Sequence, residues 1–330
     1  MTTKDTPKNV FLFYGEDTFS SSAKLNLWKT EFAKKHGETN MEQIDGGELN
    51  AGKLATDIGA LPFLADKRML IIKDFFKKSK AEEKQKVAEI VSNIPDSCLV
   101  VFYESGMPDR RTSLYQKISK TGEAKEFPLP SIREVISTIM EKSRAENFKI
   151  STKAAEHLAS YCSLNLWTVK NELDKLKTFA DGKEITIEMI DDLVTPSITA
   201  SIFKLTDAIG AKDVKGSLKT LRTMIESDEE LQMIFFMIVR QFRLIIQVKE
   251  LVDNREPPFA IAKRLSIHPF VAQTTARQCK NFTEEQIKII YQKMLKIDAD
   301  SKTGGIKTTK KDKSEYELAI EKLIIECCNL

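Results

Sequence analysis

Metal-dependent or nucleophilic catalysis has almost nothing to stand on in this chain. Histidine occurs only at His36, His157 and His268, each isolated from the others. Cysteine occurs five times, with Cys98, Cys162 and Cys279 far apart and Cys327 and Cys328 adjacent. No C-x-x-C pair exists, so zinc ribbons and dithiol redox motifs are excluded, and the thiols read as small buried hydrophobes in a reducing compartment. Glycine (13) and proline (10) are sparse in the 330 residues, which excludes collagen-like and linker-dominated architectures. No uninterrupted apolar run approaches the roughly 20 residues that span a bilayer. The polar stretch from Met1 to Lys8 has no signal-peptide core, so a soluble cytoplasmic protein is expected. Basic and acidic residues nearly balance, 51 against 48, and any nucleic-acid contact must therefore lie on a local patch. What the chain does have is 42% hydrophobic and 30% charged residues, enough to build real cores, and a length that predicts two or three domains.

The first third alternates strand and helix patterns. Asn9–Tyr14, Asn40–Asp45, Arg68–Lys73 and Cys98–Tyr103 are short strand-like segments, mostly apolar, and Glu126-Phe127 is a last short candidate. Helices are expected over Ser21–His36, Leu49–Gly59, about Lys80–Ser92, and Asp109–Lys120. This order implies a parallel sheet covered on both faces. After Pro130 the pattern is helical throughout. Ser131 with Glu134 forms a capping box; helices are expected from Ser151 to Cys162, over Leu166–Ala180, and over Ile187–Leu193 behind Thr186. Leu231–Val252 is apolar on nearly every face, as in a helix buried in a bundle or between subunits.

A first strand running into Gly15 and a helix invites a nucleotide-binding reading. A P-loop needs G-x-x-x-x-G-K-[ST], whose backbone N–H groups and lysine hold phosphates. Here Gly15 is followed by Glu16-Asp17-Thr18-Phe19-Ser20-Ser21-Ser22, with Ser20 and Ser21 where the second glycine and the lysine belong. Glu16 and Asp17 place negative charge at the phosphate position. The strand Met69–Ile72 ends in Lys73-Asp74, not in the acidic pair that would hold magnesium and orient water. The residues therefore predict a nucleotide-hydrolase fold without its chemistry, with no catalytic residue, cofactor or metal site.

Several ordered segments carry a family resemblance. Phe13-Tyr14-Gly15-Glu16-Asp17 follows the first strand, and Leu61-Pro62-Phe63-Leu64-Ala65-Asp66-Lys67-Arg68 leads into a later one. Asp109-Arg110-Arg111 with Leu114-Tyr115, and then Phe127-Pro128-Leu129, complete the first third. Further on come Val239-Arg240-Gln241-Phe242-Arg243, Ile261-Ala262-Lys263-Arg264-Leu265 with His268-Pro269, and Asp300 before Lys302-Thr303-Gly304. In this order and spacing the chain resembles the delta subunits of bacterial DNA polymerase III clamp loaders. The resemblance implies an AAA+-like parallel-sheet domain without a working P-loop over 1–130, a helical lid domain over 131–197, and a C-terminal helical collar domain over 198–330. It also implies a subunit that binds and opens the ring-shaped sliding clamp (beta) without hydrolysing ATP itself. Its partners would be the ATPase gamma/tau subunits and delta-prime in a five-subunit ring, with primed DNA reached through the assembled complex and no membrane.

By the same resemblance Leu61, Pro62, Phe63 and Leu64 match the clamp-binding element, with Gly59 where the family has a glutamine. Residue types alone leave two readings: the apolar side chains pack under the sheet edge, or Pro62 stiffens a loop that presents them outward. The lysines Lys302, Lys307, Lys310, Lys311 and Lys313, with Gly304-Gly305, read either as a solvated loop or as a phosphate-contacting patch on DNA. Arg110 and Arg111 read as surface or domain-contact residues. An alternative is a helix-turn-helix regulator that reads DNA with Phe259–Gln278.

Overall fold

The structure, a computed structural model, describes residues 9–227, 229–309 and 312–330. The chain divides into two compact units, one ending at Leu129 and the other running from Pro130 to Leu330.

The first unit is an α/β layer structure. Its elements are β1 (Val10–Tyr14), α1 (Thr18–His36), β2 (Met41–Asp45), α2 (Ala51–Gly59), β3 (Arg68–Lys73), α3 (Phe75–Lys78), α4 (Ala81–Ile90), β4 (Cys98–Glu104), α5 (Ser113–Thr121) and β5 (Glu123–Glu126). The strands form one sheet in the order β2-β3-β4-β1-β5, and every pairing is parallel. Register aligns Leu12 with Phe102 and Leu70 with Val100. Because side chains alternate along a strand, those residues together with Tyr14, Ile44 and Ile72 face one way. There they pack on Leu54 and Ile58 of α2, Val87 of α4, and Leu114 and Ile118 of α5. Phe13, Met69, Ile71 and Val101 face the other way, onto Leu25 and Phe32 of α1 and onto Phe127. Leu12, Phe13 and Phe102 are fully buried. Each such side chain contributes about 1.5–3 kcal/mol. The parallel sheet with helices on both faces is the arrangement that the strand and helix alternation suggested, and it agrees with the AAA+-like fold that the family resemblance implied.

Local chemistry sets the helix starts. Asp17 caps α1, its carboxylate accepting the Ser20 N–H at 3.0 Å, so the helix begins three residues before the expected Ser21. The helix expected from Asp109 begins only at Ser113. Asp109 instead holds a turn, accepting the Thr112 N–H and hydroxyl on its carbonyl, and Thr112 becomes the cap. The last strand lies at Glu123–Glu126, slightly before its expected place.

The second unit is helical apart from a two-residue parallel bridge. It comprises α6 (Ile132–Ala145), β6 (Lys149–Ile150), α7 (Thr152–Tyr161), α8 (Leu166–Ala180), β7 (Glu184–Ile185) and α9 (Ile187–Leu193). These are followed by α10 (Ile198–Gly210), α11 (Val214–Glu226), α12 (Leu231–Asp253), α13 (Pro258–Leu265), α14 (Pro269–Gln278), α15 (Glu284–Thr303) and α16 (Ser314–Cys328). Both halves of the Ser131–Glu134 capping box form. The helix α12 is long and apolar enough to cross a membrane by length and composition, although Arg240 and Arg243 interrupt it. It is the axis of a bundle instead: Ile234, Phe242, Ile245 and Val248 are fully buried against α10, α14, α15 and α16. All five cysteines are buried free thiols.

Candidate protein-docking site

The segment from Ala60 to Lys67 joins α2 to β3 and belongs to no regular element. Here the structure decides between the two readings left open by residue type. Leu61 is 86% exposed, Phe63 69% and Leu64 92%, while Pro62 is half-buried. Three large apolar side chains therefore stand in solvent on one eight-residue loop. Scattered single exposures are ordinary, but a cluster of this kind marks an interaction surface.

The loop's backbone is held from below. Asn40, only 7% exposed, closes the short turn before β2. Its side-chain Oδ1 accepts the Phe63 N–H at 2.6 Å and its Nδ2 donates to the Phe63 carbonyl at 2.9 Å. The same Nδ2 donates to the His36 carbonyl at the end of α1, at 2.7 Å. One buried amide thus satisfies both backbone polar groups of Phe63. The next residue, Leu64, has a φ of 49°, left-handed for a bulky residue. Sequence reasoning singled out Leu61–Leu64 but not Asn40, which read only as the first residue of a strand.

Gly15 lies at the carboxyl edge of the sheet, directly after β1. Gly15 has a φ of 135°, and its N–H donates to the Gly106 carbonyl at 3.2 Å. A Cβ built on it would lie 2.1 Å from the Phe127 carbonyl oxygen. The start of α1, where a P-loop would expose N–H groups to phosphate, carries the buried Asp17 carboxylate. Asp74, after β3, accepts the N–H and the hydroxyl of Ser105 on one oxygen, at 3.0 and 2.7 Å. Glu104, at the end of β4, is 3% exposed and accepts the Phe76 N–H at 2.8 Å.

Burial, with the Asp74 charge adding to it, pushes the Glu104 carboxyl up to about 7, and hydrogen bonds from the Phe76 and Lys77 backbone oppose the shift. The native state therefore keeps this proton to a higher pH than the unfolded chain, whose glutamate titrates near 4.5. The resulting stability is present in full below pH 4.5 and is lost as pH rises through about 7. Denaturant unfolding at pH 4.5 and pH 8 is expected to show a loss of about 3 kcal/mol from this group. Glu104→Gln should remove that pH dependence; an unchanged pH profile in the variant would refute the assignment.

The remaining sequence candidates are dispersed. Lys302 pairs with Asp298 at 2.7 Å and Lys313 with Glu230 at 2.5 Å. Lys307 is exposed, with its backbone N–H on Glu315. Lys310 and Lys311 lie outside the described residues. Arg110 pairs with Glu126 and lies over the Tyr14 ring; Arg111 pairs with Asp109. The Phe259–Gln278 region does fold as two helices, α13 and α14. However, Gln278 in α14 donates to the Phe203 carbonyl and Asp207 of α10, and Gln241 of α12 donates to Gln278 at 2.7 Å. Of α14 only Pro269, Gln273 and Arg277 remain exposed; proline has no side-chain hydrogen-bonding group, and Arg277 is paired with Asp207 at 3.2 Å.

The sheet order and its helical covering place the chain in the AAA+-like class. Comparison with known proteins then narrows it. Residues 11–127 match the family model for "DNA polymerase III, delta subunit", and residues 199–327 match that for "DNA polymerase III delta subunit, C-terminal domain". The DNA polymerase III subunit delta of Bacillus subtilis (strain 168) is 27% identical over 330 residues, covering 96% of this chain and 92% of that protein. A probable DNA polymerase III subunit delta of Aquifex aeolicus (strain VF5) is 20% identical over 312 residues, covering 91% and 88%. Among solved structures, the Bacillus subtilis DNA clamp loader delta protein superposes with a TM-score of 0.70 at 24% identity, covering 98% of this chain and 96% of that one. The chain belongs to the DNA polymerase III delta subunit family.

Proposed function

We propose that this chain binds the sliding clamp through Phe63 and Leu64, flanked by Leu61 and Pro62, and holds one interface of the clamp ring open. The observation that carries the reading is the outward apolar loop with its backbone pinned by Asn40. A binding protein shifts an equilibrium only by its differential affinity for the two states, so this loop and its surroundings prefer the open clamp. The chain does not hydrolyse ATP. Gly15 closed against Phe127, and Asp17 seated on the start of α1, support that part of the reading. ATP in the neighbouring gamma/tau subunits controls when the loop is presented, within a five-subunit ring that includes delta-prime and works in the bacterial cytoplasm. In this reading residues 131–197 act as the lid and 198–330 as the collar; the family model that begins at residue 199 supports that division. The test is binding of the purified chain to the clamp of the same organism without nucleotide, wild type beside Phe63→Ala/Leu64→Ala. Equal affinity of the two proteins sinks the proposal.

The lysine stretch enters the same proposal as a phosphate contact on primed DNA in the assembled ring. Exposed Lys307 is its testable member. Lys307→Ala is expected to lower the slope of log affinity against log salt by about one, uniformly across DNA sequences. Filter binding of primed DNA to the assembled loader over a salt series measures it, and an unchanged slope removes Lys307 from the DNA contact.

A further inference from the structure

The exposed apolar loop poses a physical problem of its own. Leu61, Phe63 and Leu64 would each gain by folding back onto the sheet edge, and a free eight-residue loop would sample such collapsed states. Something must keep them out. The loop has no strand pairing of its own, and Phe63 makes neither of its backbone hydrogen bonds to another backbone group; both go to Asn40, as described. The tie crosses 23 positions of sequence and reaches from a buried side chain on the turn before β2. The third bond of the same amide, to the His36 carbonyl, fixes the orientation of the amide plane. With Phe63 fixed on both sides of its peptide, the left-handed φ of Leu64 is held and the Leu64 side chain projects at 92% exposure.

We propose that Asn40 is the positioning residue of the docking loop: it does not touch the partner, but locks the loop backbone in its binding shape before the partner arrives. This rests on the reading of Leu61–Leu64 as the clamp contact. Preorganisation raises affinity by removing an ordering cost that would otherwise be met on binding. Without the amide, the two polar groups of Phe63 turn to water, the left-handed turn at Leu64 relaxes, and the apolar side chains spend most of their time in collapsed arrangements. Asparagine suits the position because it alone supplies, on one short planar group, an acceptor for the N–H and a donor for the carbonyl. Aspartate keeps the acceptor and loses the donor.

The experiment measures clamp binding by calorimetry and backbone amide exchange for wild type, Asn40→Ala, Asn40→Asp, and Leu64→Ala, and for Asn40→Ala combined with Leu64→Ala. Asn40→Ala is expected to bind about tenfold more weakly, with a more unfavourable binding entropy. Its Phe63 amide should exchange at least about tenfold faster while the amides of β2 and β3 exchange as in wild type. Asn40→Asp, which retains the acceptor for that N–H, should fall between the two. In the Leu64→Ala background the Asn40→Ala penalty should shrink, because positioning matters only for side chains that are present. Wild-type affinity for both Asn40 variants overturns the inference, as does faster exchange throughout β2 and β3, which would make Asn40 a general fold residue. If Leu64→Ala itself binds like wild type, the docking reading fails first, and the two failures are told apart.

Discussion

Replacing Phe63 and Leu64 together by alanine is expected to weaken binding of the isolated chain to the sliding clamp by about a thousandfold while leaving its unfolding free energy almost unchanged. The two halves of this expectation come from the same observation. Both side chains are largely in solvent in the free chain, so truncation removes little that stabilises it, within about 0.5 kcal/mol. Alanine remains an L-residue at the left-handed position of Leu64, so the backbone strain is the same before and after. On the clamp the two side chains would be desolvated. Each then contributes about 1.5–3 kcal/mol, and adjacent apolar anchors in one pocket are the usual composition of a hot spot. Their joint loss of about 4 kcal/mol corresponds to roughly three decades in Kd. Had the loop packed beneath the sheet edge, the signs would reverse: truncating buried apolar groups costs about 2–5 kcal/mol of stability each and leaves binding alone. Surface plasmon resonance for affinity and urea unfolding for stability decide it on the same two proteins. A stability loss without a binding loss would return the loop to the core.

How much of this was legible beforehand depended on the range of the interaction that sets each feature. The run Arg68–Lys73 was readable to the residue, because a strand covered on both faces needs continuous apolar side chains between polar ends. The helix Ile187–Leu193 was readable from Thr186, whose side chain accepts the Met189 N–H, whereas the Asn165 cap of Leu166–Ala180 emerged only from the structure. At Asp109 the local reading failed, since a turn held by the same residue types competes with a helix start. The docking loop shows the other limit. Apolar residues ahead of a buried strand normally join the core, and nothing in Leu61–Leu64 states which way they face. The answer lies with Asn40, at a separation of 23 residues, in hydrogen bonds that no local pattern encodes. The lysine stretch divides in the same way. Lys302 and Asp298 sit four apart on a helix and could be paired by eye, whereas Lys313 finds Glu230 across 83 positions.

Gly15→Ala is expected to destabilise the first unit by about 3–5 kcal/mol, with Gly106→Ala as a neutral neighbour for comparison. The glycine that suggests a phosphate loop is here a packing glycine. Its φ of 135° is unfavourable for any L side chain, and an added methyl would sit 2.1 Å from the Phe127 carbonyl oxygen and 2.7 Å from its carbon. Real Cβ atoms do not approach backbone so closely, so Phe127 or Gly15 has to move. Phe127 is not free to yield: its N–H donates to the Tyr14 carbonyl at 2.7 Å and its carbonyl accepts the Asp17 N–H at 3.0 Å. Its ring packs edge-on against Phe13 at 5.7 Å, in the sheet face that α1 covers. Displacing it costs about 1–3 kcal/mol in backbone strain and about 1 kcal/mol for each hydrogen bond disturbed. Against a total of about 5–15 kcal/mol for a typical domain, that is a large fraction. At Gly106, whose own carbonyl accepts the Gly15 N–H, an added Cβ meets nothing within 4 Å, and alanine should change stability by no more than about 0.5 kcal/mol. A glycine kept for phosphate contact would behave differently, since its substitution would weaken nucleotide binding and spare the fold. Chemical unfolding of the two variants, beside nucleotide titration of the wild type, separates the cases. If Gly15→Ala unfolds like wild type, the contact with Phe127 does not hold this corner of the sheet closed, and with it goes one of the two supports for a chain that leaves ATP to its neighbours.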